Sequence, residues 1–125
     1  MALEHEELTG AILAAAVSVH RALGPGFIEA IYEKALVIEL RRRGLKVLQQ
    51  VEIEVSYEGI VVGTHRLDLI IEDTIILELK AIKTFEDIHF AILRSYLRAF
   101  GKEHGLRLNF GRPKLQAKRV IAPPL

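Results

Sequence analysis

The stretch HRLDLIIEDTIILELKAIK, residues 65–83, places the tightest limits on how this chain folds. It reads as two apolar strands joined by a short polar turn, with Asp68, Glu78 and Lys80 set among Leu and Ile. Charged groups inside apolar strands cost free energy unless they are paired. Side chains alternate along a strand, so Glu78 and Lys80 share a face with Ile76, and Asp68 shares one with Arg66 and Ile70. The turn decides whether the two sets meet. A two-residue loop, Asp73-Thr74, would set Asp68 opposite Leu79 and put a carboxylate among apolar side chains. A three-residue loop, Glu72-Asp73-Thr74, sets Asp68 opposite Glu78 and Arg66 opposite Lys80, and the hydrophobic pattern selects it. The charges then occupy one face, and Leu67, Leu69, Leu77 and Leu79 the other.

Directly opposed residues have Cβ atoms about 4.5–5.5 Å apart. Two ionised carboxylates at that separation repel, so either one stays protonated or a cation sits between them. Lys80 offers one positive charge against two negative ones. A hard divalent ion, Mg²⁺ or Mn²⁺, takes carboxylate oxygens and keeps several waters. Such an ion activates a bound water and stabilises charge on a phosphate, and Lys80 beside it can orient the water or neutralise the phosphate. The residues alone leave two readings open. One is a site for metal-assisted phosphodiester hydrolysis; the other is a salt-bridge cluster of Asp68, Glu78, Lys80 and Arg66. Asp68→Ala, by relieving carboxylate repulsion, is expected to leave the fold as stable or firmer.

Periodicity around this hairpin gives helix, helix, three strands, helix, then one or two strands. LTGAILAAAVSVHRALG (8–24) predicts a first helix closed by Gly24, with a Gly-Pro-Gly break at 24–26. FIEAIYEKALVIELRRRG (27–44) predicts a second, with Ile28, Ile31, Ala35, Ile38 and Leu40 near one stripe and Gly44 as its stop. From Lys46 the pattern switches to period two: Val51, Ile53, Val55 and Tyr57 face one way, Glu52, Glu54 and Ser56 the other. Glu58-Gly59 makes a turn. Thr84, with Asp87 three residues on, resembles a capping box that opens a helix through Phe100. GLRLNFG and AKRVIA are short strands. A three-strand meander followed by a helical crossover implies a mixed sheet with helices packed on it. The length of 125 residues fits one domain, 1–125.

Composition removes several chemistries. The absence of cysteine excludes disulfides, thiolate zinc sites and cysteine catalysis, and suits a reducing cytoplasm. The histidines, His5, His20, His65, His89 and His104, show no i, i+4 zinc spacing. His20 beside the Gly-Pro-Gly break reads as structural. His65 falls on the face opposite Asp68, and His89 stands near the start of the third helix. The first residues, MALEHEELTG, carry no signal-like pattern, and the apolar run 11–19 is too short to span a bilayer. Net charge is +1, but Arg98, Lys102, Arg107, Arg112, Lys114, Lys118 and Arg119 face only Glu103 between 98 and 119, and Arg41-Arg42-Arg43 adds a second cluster. These are either solvated faces or a phosphate-binding surface.

RLDLIIEDTIILELKA resembles the core hairpin of PD-(D/E)XK nucleases. Together with VHRALGPGFIEAIYEKAL, VGTHRLDLII, SYLRAFG and GLRLNFG, it looks like the GxxExxY family, a bacterial and archaeal branch of that superfamily. Gly26, Glu29 and Tyr32 are the namesake residues, and the likeness runs in order from Leu8 to Val120. It implies an α/β fold with a restriction-endonuclease-like αβββαβ core, a mixed sheet flanked by helices, in agreement with the order read above. It implies that Asp68 and Glu78 bind metal, that Lys80 is the catalytic lysine, and that Glu29 reaches the metal from its helix, often through water. Tyr32 and Tyr96 would support the site, by hydrogen bonding or by packing. The family typically carries Gln four residues before the Tyr of the helix after the lysine strand. Here Ile92 stands there, with Tyr96 retained and Arg94 where the family is usually apolar.

The resemblance thus implies a Mg²⁺- or Mn²⁺-dependent nuclease acting on DNA or RNA, in which either the Gln is dispensable or Ile92 weakens catalysis. Backbone contacts would come from Arg94, Arg98, Lys102, Arg112 and Lys114. The setting is cytoplasmic, without a membrane, as a monomer or homodimer. The alternative is a catalytically inactive nuclease-fold module that binds nucleic acid or oligomerises.

Overall fold

A computed structural model describes residues 5–83 and 87–122. Its elements, in chain order, are α1 (Glu6–Leu23), α2 (Glu29–Arg42), β1 (Val47–Tyr57), β2 (Ile60–Ile71), β3 (Ile75–Lys80), α3 (Asp87–Phe100), β4 (His104–Asn109) and β5 (Gln116–Ile121). Both C-terminal segments with strand character pair into the sheet. Thr84, the expected cap of α3, lies outside the described residues.

The five strands lie in the order β1-β2-β3-β4-β5. All neighbours are antiparallel except β3 and β4, which run parallel and are joined through α3. Residues from α1 and α2 pack on one face of this mixed sheet, over Leu69, Ile71, Leu77, Leu79, Leu106 and Leu108. Leu93 and Leu97 of α3 pack on the other, over Ile53, Leu67, Ile70 and Ile76. Among the described residues no helix is long and apolar enough to cross a membrane.

α1 buries Ile12, Ala15, Ala16 and Val19, the spacing of one helical face. It ends where Gly24, at φ 70°, donates its N–H to the His20 carbonyl at 2.8 Å. α2 departs from the expected stripe. It buries Tyr32, Leu36, Val37 and Leu40, while Ile28 and Ile38 are 69% and 60% exposed and Ile31 also faces solvent. The reason is Tyr32, which stacks on Phe110 with ring centroids 4.7 Å apart and so fixes which side of α2 meets the sheet.

The β2–β3 turn is the three-residue loop that the pattern selects. Ile71 pairs with Ile75, Ile70 with Ile76 and Leu69 with Leu77, and the same register continued sets Asp68 opposite Glu78. Glu72 and Asp73 take φ of 53° and 51°, the left-handed conformation that suits tight hairpins. The expected faces need one correction. Leu67 packs with Ile70 and Ile76 beneath α3, whereas Leu69 packs with Leu77 and Leu79 beneath α1 and α2. Strict alternation cannot put Leu67 and Ile70 on one face. The irregularity is visible across the ladder: Gln49 pairs with Leu69 and Val51 with Leu67, but Gln50 between them takes φ 51° and pairs with nothing in the ladder. The β1–β2 hairpin then runs on past the sheet, so that Val55 and Tyr57, expected on one face with Ile53, are exposed while Ile53 is buried.

Candidate active site

β2 and β3 pair only from Leu69 and Leu77 towards the turn; beyond these residues they part. At the fork the Asp68 side chain replaces the lost backbone partner, its Oδ2 accepting the Leu79 N–H at 2.9 Å. Glu78 is directed beneath α3 and is 5% exposed. Its neighbour in the β3–β4 ladder is Arg107, 1% exposed, with Nη2 3.8 Å from Glu78 Oε2. Glu78 Oε1, Arg107 Nε and Arg107 Nη1 are buried without a hydrogen-bond partner among the described residues. Burial, and then the Asp68 charge, push the Glu78 carboxyl up to about 7 against the opposing charges of Arg107 and Lys80. Burial also raises Asp68, opposed first by the Leu79 N–H and then by Lys80. Both remedies for close carboxylates are therefore present: partial protonation and an internal cation.

Lys80 is half-buried at the end of β3, where the chain leaves the sheet. Its exit is fixed by Asn109. The Asn109 Oδ1 accepts from the N–H groups of Ile82 and Gly111 at 3.0 Å each, and its Nδ2 donates to the Ile82 carbonyl at 2.8 Å. The approach is so close that a Cβ on Gly111 would lie 2.6 Å from the Ile82 nitrogen.

α2 brings in Glu29 and, one turn on, Glu33. Glu29 is exposed in the first turn, and its charge raises both Asp68 and Glu78. Glu33 accepts from Gln50 Nε2 at 2.8 Å; its carboxyl is raised by burial and then by Asp68. Tyr32 does not reach the acids. Its hydroxyl donates to the Gly24 carbonyl at 2.6 Å and accepts from the Phe27 N–H at 3.2 Å, which clamps the Gly-Pro-Gly break ahead of Glu29. Gly26, at φ 115°, provides a conformation that other residues resist.

From α3, Tyr96 stacks on His65 with ring centroids 3.7 Å apart, and its phenol is raised by burial and then by the Glu78 charge. His65 is thus placed differently from the expectation. Because β2 changes face after Leu67, the ring lies within electrostatic reach of Asp68 and Lys80, and burial lowers its pKa. His20 is structural in position, its Nε2 2.8 Å from the Arg112 carbonyl oxygen. Ile92 and Arg94 are half-buried on α3.

The basic run does not form one surface. Arg107 is interior. Arg112 and Lys114 lie in the β4–β5 loop at the Lys80 end, Arg112 Nη1 donating to the Lys83 carbonyl at 3.1 Å. Arg98, in the last turn of α3, and Lys102, beside the start of β4, belong to the opposite end of the sheet, where Ile75 pairs with His104.

Four residues around the site are not read as site residues in the sequence: Arg107, counted only among the basic residues, His65, assigned to the opposite face, and Glu33 and Asn109, not singled out. Arg107 carries the signal that marks Asp68, a charge between Leu106 and Leu108 in an apolar strand. Glu33, His65 and Asn109 carry none. No group of three His, Cys, Asp or Glu side chains among the described residues forms a ready metal cage. Asp68 and Glu78, with the orphaned Oε1 of Glu78, nevertheless fit an ion such as Mg²⁺, which takes one or two carboxylates and retains water.

A family model for the PD-(D/E)XK nuclease superfamily matches residues 6–120. Among solved structures, the chain is similar to SSO0001 at 22% identity and TM-score 0.60, over 97% of this chain and 60% of that one. It therefore spans about three fifths of the length of SSO0001. It is also similar to an alkaline exonuclease (LHK-Exo) from Laribacter hongkongensis, at 12% identity and TM-score 0.55, over 98% of this chain and 73% of that one. At these identities the likeness is one of fold. No curated protein matches the chain.

Proposed function

The chain belongs to the PD-(D/E)XK nuclease superfamily, and from that premise we propose that residues 1–125 form one domain of the GxxExxY branch that hydrolyses phosphodiester bonds of nucleic acid with Mg²⁺ or Mn²⁺. The observation that carries this reading is the fork between β2 and β3, where Asp68 and Glu78 act on one another and Lys80 follows two residues after Glu78. Asp68 and Glu78 would hold the ion, and Glu29 would support it from α2 through water. When bound, the ion supplies a water of lowered pKa and offsets charge on the phosphate. Lys80 orients the attacking water and neutralises the scissile phosphate. The Asp68 carboxylate is itself held by the Leu79 N–H, so it is fixed before substrate arrives. Arg112 and Lys114, at the same end of the sheet, contact the nucleic-acid backbone.

A second reading, a nuclease fold that binds nucleic acid without cutting it, is favoured by two observations: Ile92 offers no polar group to the water, and Arg107 already opposes Glu78. The two readings part in one assay. Wild type, Asp68→Asn and Lys80→Ala are incubated with single- and double-stranded DNA and RNA in Mn²⁺. The nuclease reading expects cleavage by wild type alone. Cleavage that survives Asp68→Asn would mark a contaminant, and none by wild type in any metal would favour the binding module.

A further inference from the structure

A guanidinium inside a sheet is costly unless its charge is matched. Arg107 is 1% exposed between the buried Leu106 and Leu108, with its Nη2 3.8 Å from Glu78 Oε2. The other groups that act on it are Tyr96, Asp68 and Glu29. Nε and Nη1 make no hydrogen bond among the described residues. One fixed cation therefore sits beside Glu78 and within electrostatic reach of Asp68, Glu29 and the Tyr96 phenol. We propose that Arg107 is the resident counter-ion of the acidic site and sets its affinity for the divalent ion, which has to bind Glu78 against the repulsion of the guanidinium. The inference rests on the reading of Asp68 and Glu78 as metal-binding groups.

Glu78 turns Oε2 towards Arg107 and leaves Oε1 without a partner. A cation that reaches Oε1 enters the field of a positive charge on the far side of the same carboxylate. Both groups are buried, so little solvent screens that field. Lys80 is also cationic, but it is half-buried and on a flexible stem, so it can move aside. Arg107 is packed in the sheet and stays charged at every working pH. It keeps the carboxylates balanced without metal, at the cost of metal affinity.

The test is Mn²⁺ binding to the full chain at pH 8, followed by the paramagnetic resonance of free Mn²⁺ and by calorimetry. It compares wild type, Arg107→Met, Arg107→Gln and Arg107→Lys. The neutral variants should bind at least about tenfold more tightly than wild type, the gain expected from removing one buried like charge. Arg107→Lys should stay near wild type. Arg107→Gln, which keeps hydrogen-bond donors, is read if the Met variant does not fold. Equal or weaker binding by the neutral variants, or no binding by any protein, overturns the proposal. So does failure of both neutral variants to fold in saturating Mn²⁺, because the metal should then replace the lost charge. Tighter binding without cleavage of any nucleic acid keeps the counter-ion and removes the nuclease reading. Cleavage by wild type with unchanged affinity in the variants does the reverse.

Discussion

Glu78 has its carboxyl pushed up to about 7 from an ordinary 4.5, by burial and by Asp68. A raised carboxyl favours the folded state most where it is protonated in both states, below pH 4.5, and that advantage is lost as pH rises through 7. A shift of this size corresponds to about 3 kcal/mol. Metal-free protein should therefore lose stability between pH 4.5 and 7, and Glu78→Gln should flatten that slope. Urea unfolding in chelator across this window measures it, and an unchanged slope in the variant contradicts it. At Asp68 the sequence expectation is incomplete. Asp68→Ala relieves repulsion but also strips the Leu79 N–H of its acceptor, which costs about 1–3 kcal/mol. Asp68→Asn keeps an acceptor there, so it should unfold at a higher temperature than Asp68→Ala; the reverse order would deny the bond its role. Ile92→Gln puts back the amide that the family pattern carries at this position of α3 and, if that amide orders the water, should raise cleavage by about 10²-fold. No gain in steady-state rate would count against a water placed there. Asp68, Glu78 and Lys80 are legible because charge stands out in apolar strands. Arg107 gives the same signal but is absorbed into a run of basic residues, and only the ladder with Glu78 separates it from them.

At the scale of elements, the β2–β3 register can be read from alternation alone, because a slip by one residue exposes a whole face. The face switch in β2 cannot, and across from it on β1 Gln50 takes φ 51° where alternation expects extended backbone. That irregularity is why alternation puts His65 on the wrong side. The stripe of α2 misleads for a similar reason. Isoleucines at helical spacing look like a core face, yet Tyr32, held by Gly24, Phe27 and Phe110, sets the orientation. Tyr32→Phe should cost about 1–2 kcal/mol for its two hydrogen bonds and loosen the turn that delivers Glu29. A melting temperature equal to wild type would show that the clamp does little. Gly111→Ala should be more severe, since its Cβ would meet the Ile82 nitrogen at 2.6 Å and displace the chain just after Lys80. Loss of stability together with loss of cleavage is expected; a stable, fully active Gly111→Ala would contradict the role given to this crossing.

Across the whole molecule, the core lies on both sides of one mixed sheet, and the acids sit where that sheet forks. Sequence counts the basic residues but cannot divide them between the two ends of the sheet, because α3 runs back along it and carries Arg98 away from Lys80. If nucleic acid enters at the Lys80 end, Arg112→Ala and Lys114→Ala should each weaken binding and reduce the salt slope by about 0.7–0.9 for every phosphate left without its cation. Lys102→Ala should leave both unchanged. Equal effects at the two ends, measured by titration across salt concentrations, would refute the division. The most direct measurement concerns the fork itself: anomalous diffraction from crystals of the chain grown with Mn²⁺. One peak should appear between the carboxylates of Asp68 and Glu78, with Glu29 directed towards it. A Mn²⁺ bound elsewhere, or none while Glu78 still faces Arg107 alone, would contradict the metal-dependent reading.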